Sequence, residues 1–386
     1  MVVYLLTFLT ASFSAFCASH FISKSKIIFF FFSLCTILIP SLIAGLRSET
    51  VGTDMRFYLL EIYEKAAIYS DKSQIMTDGT FEPVFLLIVF CALNLFKSLQ
   101  GILFSLEFVN MSLVYTGLVL LRKKLSIGIA VAVYLFLFFN DSMNLMRQHV
   151  AVSLCFLSFA CLYRKKYVFC LITYAIALFA HSTSFIFAVP IIVFESFRRG
   201  WVNMKSTIVK IYMVGLPLSL FLIDKLLSIL ISLGVVSEKY MRYLTTENDS
   251  GTRFPLSYFF FFILFFVIGM CIANNIPKSW NLLNLKKIIK DGDNVKLVKN
   301  FFAFDIYSVI VIGLSTLVSL WIYRMNIYFQ VLLVALFPIL IRRLEVKDLR
   351  YLKYLFGALL FVYWFWTFIH SNNGETYPYH SVILGI

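Results

Sequence analysis

Long apolar runs alternate with short polar breaks along the whole chain. The runs fall at 2–19, 27–45, 83–96, 100–121, 126–140, 143–163, 167–180, 183–197, 208–233, 255–276, 301–322, 325–341 and 351–369. Inside them apolar residues follow one another without the period-two alternation of a membrane strand, which excludes a β-barrel. Crossing a bilayer core takes about 20 apolar residues as a helix, and most runs approach that length. Backbone polar groups in lipid must be satisfied within the segment, so helices are the only reading. The pattern predicts an all-α fold: a polytopic transmembrane helix bundle, forming a single integral membrane domain over 1–386 with no soluble domain and no internal repeat.

The breaks set the orientation. Basic clusters at Arg122-Lys123-Lys124, Arg164-Lys165-Lys166, Arg198-Arg199, 277–300 and 342–353 mark cytoplasmic loops by the positive-inside rule. The alternating segments 141–147, 181–182, 234–254, 323–325 and 370–386 then lie outside. Segment 46–80 carries four basic and six acidic residues and reads as external too. Placing both 46–80 outside and 122–124 inside requires an odd number of crossings over 81–121, which holds two apolar runs. The shorter, 83–96, is led by Glu82-Pro83 and is read as re-entrant, which leaves about 12 crossings; the alternative is 13 crossings with 46–80 in the cytoplasm. Within the 46–80 loop, Met55, Tyr58, Leu59, Ile62 and Ala66 recur at helical spacing, predicting a short amphipathic helix over 54–70. The segment 234–254 forms a second external loop.

Composition agrees with the pattern. Hydrophobic residues make up 61% and charged residues 14%, against about 25% charged in a soluble domain. The net charge of +14 sits mostly in the short cytoplasmic clusters, so it points to topology and not to nucleic acid. The seven cysteines all fall in apolar runs without CxxC spacing and read as small buried hydrophobes. No HExxH, GxSxG or phosphate-loop motif occurs, and no His/Asp cluster has metal spacing, so neither a metal nor another cofactor is expected.

Ionisable groups at membrane depth are costly and point to function. Here they are Arg47, Asp141, Arg147, His149, His181, Asp305 and Arg324. On the topology above, Arg47, Arg147, His181 and Arg324 end up at the outer ends of four helices, where the positive-inside rule disfavours cations. Guanidinium is a planar fork that matches phosphate oxygens and stays charged in a low dielectric. Outer-face arginines in a helix bundle therefore point to a phosphorylated ligand with a lipid tail, with Arg253 of the second loop as a looser contributor. Snorkelling is the alternative for each arginine alone. Asp54 reads either as a general base or as the N-cap of the 54–70 helix, and His181 either as a base or as a helix-end residue facing the dipole. His149 reads as packing, Asp141 as a partner of Arg147, and Asp305 as a helix-start residue near the cytoplasmic lysines.

Several of these residues stand in a recognisable order. The run Gly45-Leu46-Arg47, Val51-Gly52-Thr53-Asp54 and Tyr58 resembles the start of EpsG-family and Wzy-type polysaccharide polymerases, as does Glu82-Pro83-Val84-Phe85 after it. Met146-Arg147-Gln148, the Arg164-Lys165-Lys166 turn and Ala177 to Ser184 around His181 resemble the middle of that family. Tyr240-Met241-x-Tyr243 and Tyr323-Arg324-x-x-x-Tyr328-Phe329 resemble its later landmarks. The resemblance covers nearly the whole chain. It departs at His149, where a small residue is expected, and in the tail His370–His380, which matches nothing in it.

The resemblance implies a GT-C-like glycosyltransferase of the bacterial inner membrane. It would join oligosaccharide repeat units carried on undecaprenyl diphosphate at the periplasmic face, as an O-antigen or exopolysaccharide polymerase. Donor and acceptor are then both lipid-linked oligosaccharides, and a chain-length regulator protein and membrane lipid are the other partners. Arg47, Arg147, Arg324 and Arg253 would hold the diphosphate, Asp54 or His181 would act as base, and Tyr58, Gln148 and Tyr243 would support them. The other readings are a lipid-linked oligosaccharide transporter or flippase, for which repeat symmetry is missing, another polyprenyl-phosphate-dependent GT-C transferase, for which an acidic pair is missing, and an O-antigen ligase, which differs chiefly in its acceptor.

Overall fold

The computed structural model describes residues 1–68, 72–77, 81–233, 256–274, 295–315, 323–342 and 351–386. The second external loop, with Tyr240, Tyr243 and Arg253, lies outside them. The helices are α1 (Val2–Phe21), α2 (Lys26–Leu46), α3 (Leu60–Ile68), α4 (Pro83–Phe96), α5 (Leu99–Leu121), α6 (Ile127–Asn144), α7 (Met146–Tyr163) and α8 (Tyr167–Ala180). They continue with α9 (Ala188–Arg199), α10 (Thr207–Phe221), α11 (Ile223–Ser232), α12 (Leu256–Asn274), α13 (Val295–Ser315), α14 (Tyr323–Gln330), α15 (Leu333–Arg342) and α16 (Tyr351–Trp364). No strand occurs among the described residues. Eight helices there are long and apolar enough to cross a membrane, and four shorter apolar helices, Pro83–Phe96 among them, accompany them. The chain is a multi-pass helical membrane protein.

Local chemistry sets the helix ends. The Ser25 hydroxyl accepts from the Ile28 amide at the start of α2, and Ser98 accepts from the Gly101 amide at the start of α5, each satisfying an otherwise orphan donor. Pro83 opens α4, where its missing N–H costs nothing. Gly200 ends α9 in the left-handed region, behind Arg198 and Arg199 in the last turn.

The described residues group into two compact units, Met1–Phe185 with Val331–Ile386, and Ile186–Gln330. In the first unit, α1, α2, α5, α6 and α7 pack around a core in which α6 and α7 are buried on nearly every side. The α2–α5 contact is close because Gly45 has no side chain: a Cβ there would meet Phe104 Cβ at 2.7 Å and the Gln100 carbonyl at 3.2 Å. Gly45→Val is expected to destabilise the protein by about 1–3 kcal/mol, since overpacking must be absorbed by backbone shifts. The check is a lowered melting temperature of the variant in detergent, with Gly215→Ala, which faces open space, as the control.

In the second unit α13 packs against α9, α10, α12 and α14. Asp305 differs from its expected place. The helix begins at Val295, before the apolar run, so Asp305 lies three turns in, fully buried, with neither carboxylate oxygen hydrogen-bonded. Apolar periodicity does not mark where a helix starts. Lys296 and Lys299 are good helix formers and extend it upstream.

The segment 54–68 is a π-helical turn, Met55–Leu59, running into α3. Met55, Tyr58, Leu59, Ile62 and Ala66 are all buried, so the apolar stripe read from the sequence is the packed face. The tail after α16 folds back over the end of this unit. Tyr379 donates to the Ile43 carbonyl at 2.9 Å and Ser381 to that of Leu46 at 2.6 Å, while the His380 carbonyl accepts from the Ser48 amide at 2.9 Å.

Candidate functional site

Five helix ends of the first unit supply the site. The chain leaves α2 at Arg47, α6 at Asn144 and α8 at His181, and enters α4 after Glu82 and α7 before Arg147. Only Leu145, with φ −84° and ψ 52°, separates α6 from α7, so Asn144 and Arg147 are held on one tight corner.

Asn144 fixes the loop after α2. Its Oδ1 accepts from the Thr53 hydroxyl at 2.8 Å and from the Asp54 amide at 3.1 Å. Gly52 makes the approach possible: its φ is +95°, a Cβ would lie 3.1 Å from the Met143 carbonyl, and its amide donates to the Glu375 carbonyl at 2.9 Å. Asp54 stands at the N-cap position of the π turn, but its side chain makes no capping bond. Its charge acts instead on the Tyr58 phenol, one turn on, without a hydrogen bond to the hydroxyl. Burial first, and then the Asp54 charge, hold the Tyr58 phenol well above its usual range, against the opposing pull of Arg147. Tyr58 therefore stays a proton donor at any physiological pH.

Arg147 is the centre of the arrangement. Its guanidinium lies 4.6 Å from the Tyr58 ring centroid and 5.2 Å from that of Phe81, a stacking that suits the delocalised cation. Its Nη1 donates to Glu82 Oε2 at 3.0 Å, with side chains 25% and 21% exposed. The expected partner was Asp141; the paired carboxylate is that of Glu82. The other carboxylate oxygen, Oε1, faces His181 Nε2 at 3.9 Å. At the C-cap of α8 the His181 ring is turned back to its own chain, where the Thr183 amide donates to Nδ1 at 3.3 Å and the Thr183 hydroxyl lies 2.8 Å from it. A ring nitrogen that accepts an amide hydrogen carries no proton, so the hydrogen bonds assign the neutral ring's proton to Nε2, the nitrogen facing Glu82.

Arg47 is placed differently. It is only 2% exposed, and its Nη2 donates to the Met143 carbonyl at 2.7 Å and lies 3.4 Å from the Met146 sulfur. Its Nε has no hydrogen-bond partner. Arg47 thus braces the α6–α7 corner immediately before Arg147. Gln148, the next residue, is buried in α7. His149 is enclosed, edge-on to Phe138, with neither ring nitrogen hydrogen-bonded.

Among the expected residues, the structure brings Arg147, His181, Tyr58 and Asp54 into one connected set, with Arg47 behind it. Arg324 starts α14 in the second unit; Arg253 and Tyr243 lie outside the described residues. Sequence reasoning missed two acids. In the sequence Glu82 stands out as the residue leading the run 83–96 and as part of a family-like motif, without a site role, and Glu107 gets none although it interrupts the apolar run 100–121. Glu107 is buried in α5, where its Oε2 accepts from the Ser142 hydroxyl at 2.7 Å. No group of His, Cys, Asp and Glu able to hold a metal occurs among the described residues. The arrangement offers a part-exposed guanidinium, a carboxylate with one free oxygen, an imidazole N–H and a phenol, the means to bind an anion and move a proton.

No curated protein and no solved structure matches the chain. The family model that does match covers residues 30–381, from within α2, through every element of this site, to the tail that folds back over it. The chain belongs to the EpsG family.

Proposed function

We propose that this chain is a glycosyltransferase that polymerises polysaccharide repeat units carried on undecaprenyl diphosphate, at the periplasmic face of a bacterial inner membrane. The observation that carries the proposal is Arg147: a guanidinium lying over the neighbouring rings of Tyr58 and Phe81, at the mouth of a membrane helix, beside proton-carrying groups. Cleavage of a sugar C1–O bond to diphosphate leaves negative charge on the leaving oxygen. A preplaced guanidinium stabilises that charge, and its fork matches a diphosphate. Arg324 and Arg253 join this role in the proposal, Arg47 supports it from behind the corner, and Tyr58 and Gln148 line it. The apolar, Phe-rich helix faces suit a polyprenyl chain.

The test is complementation of a strain deleted for this gene, with surface polysaccharide resolved on a gel. The deletion is expected to show single-repeat bands, and the wild-type gene to restore a ladder. Full-length ladders in the deletion strain overturn the proposal. So does accumulation of lipid-linked repeat units that never leave the cytoplasmic face, which marks a transporter.

A further inference from the structure

We infer that Glu82 is the group that takes the proton from the attacking sugar hydroxyl, and that this transfer frees Arg147 to neutralise the departing diphosphate. The inference rests on the glycosyl-transfer reading above and assigns the acid–base work within the same site.

Three groups compete for the proton. Asp54 lies one turn from the Tyr58 phenol, and its charge goes to holding that phenol's proton in place. His181 is the natural choice by residue type, but neither of its nitrogens is available: Nδ1 accepts from the Thr183 amide, and Nε2 carries the ring proton. Glu82 has one oxygen, Oε2, engaged by Arg147 and the other, Oε1, without a hydrogen bond among the described residues. That free oxygen faces His181 Nε2 across 3.9 Å. The gap is too long for a hydrogen bond. It is wide enough to seat one oxygen atom about 2.8 Å from each side, the usual length of such bonds. A sugar hydroxyl placed there receives the His181 N–H and donates its own hydrogen to Glu82. Geometry thus makes His181 the positioning donor and Glu82 the acceptor.

The step balances within the site. The acceptor O–H bond breaks and its proton moves to Glu82 Oε1. The oxygen forms the new bond to the donor sugar C1, and the C1–O bond to diphosphate breaks, the electron pair leaving with the lipid diphosphate. Before the step, the Arg147 charge is compensated by the Glu82 carboxylate 3.0 Å away. Once Glu82 is protonated that compensation is gone, and the full guanidinium charge faces outward as the leaving group gains its own. Deprotonation of the nucleophile and stabilisation of the leaving group become one event, with no change in net charge at the site.

The experiment uses the full chain in nanodiscs. Its substrate is the lipid-linked repeat units that the deletion strain accumulates, and chain growth is read on a gel. Wild type must extend them, and its failure sinks the polymerase reading itself, separately from the role of Glu82. Given an active wild type, Glu82→Gln is expected to lower kcat by about 10²–10⁴-fold, the usual worth of a general base, with KM within about threefold of wild type because Arg147 keeps a side-chain oxygen partner. Glu82→Asp, which moves the carboxylate back by one carbon, is expected to fall between the two. His181→Gln, which keeps an N–H donor, is expected to lose about tenfold or less, whereas a base would lose as much as Glu82→Gln. Glu82→Gln turning over within tenfold of wild type, or His181→Gln falling as far as Glu82→Gln, overturns the inference. Should Glu82→Gln fail to fold, an unchanged kcat in Glu82→Asp overturns it just as well.

Discussion

Arg147→Ala is expected to stop polymer growth, with kcat lowered by about 10²–10³-fold, the usual cost of removing one preplaced donor from a developing oxyanion. Arg147→Lys keeps the charge but loses the planar fork and the stacking on Tyr58 and Phe81, so it should keep only a small part of the activity. Both effects have a structural component. Removing Arg147 strands a half-buried Glu82 carboxylate, which is expected to destabilise the protein by about 1–3 kcal/mol, between an exposed pair and a fully buried one. The double variant Arg147→Ala with Glu82→Gln removes that stranded charge. Its melting temperature in detergent should return most of the way to wild type while its activity stays lost. If the double variant recovers activity along with stability, Arg147 serves the fold alone, and the diphosphate must be held elsewhere.

Much of this arrangement was legible in the sequence, and the reasons are particular. The stripe Met55, Tyr58, Leu59, Ile62 and Ala66 was readable because burial on one side of a helix imposes a period that sequence displays directly. Arg147 and His181 could be assigned to one membrane face because loop charge fixes which way each helix runs. The pairing of Arg147 was not readable. Glu82 is 65 residues away and no local rule links them; Asp141 was the nearer carboxylate, and nearness in sequence was the only guide. The tautomer of His181 depends on one backbone amide two residues on, and a residue list carries no such geometry. Asp305 was misplaced for another reason: its helix extends beyond the apolar run through lysines, which favour helix without adding hydrophobic signal. Glu107 was legible and overlooked, since a single acid within an apolar run is itself a functional signal.

The tail resisted sequence reading because its work is done by backbone carbonyls and a few hydroxyls. Deleting residues 371–386 is expected to abolish the ladder and to lower the melting temperature sharply or prevent accumulation. The segment ties down the loop that carries Arg47, Gly52 and Asp54. Ser381 donates to the Leu46 carbonyl, the His380 carbonyl accepts from Ser48, and the Glu375 carbonyl accepts from Gly52. It also completes the core. Asn140, fully buried in α6, accepts from the Trp364 indole at 2.9 Å and donates to the Thr376 hydroxyl at 3.0 Å, and the Tyr4 hydroxyl donates to the Thr376 carbonyl. Without the tail, the Asn140 amide and the Tyr4 hydroxyl lose these partners, at about 1–3 kcal/mol for each buried group left unsatisfied. Those losses alone are a large share of a marginal stability of about 5–15 kcal/mol. The tail's conspicuous charge should matter least. The Arg56–Glu375 ion pair is half-exposed on both sides, and such pairs are worth about 0–1 kcal/mol. Glu375→Ala keeps the backbone carbonyl that binds Gly52, so it should leave both ladder and melting temperature close to wild type. A truncated chain that still polymerises, or a Glu375→Ala variant as damaged as the truncation, would mean that the tail acts through its side-chain charge and not by holding the loop in place.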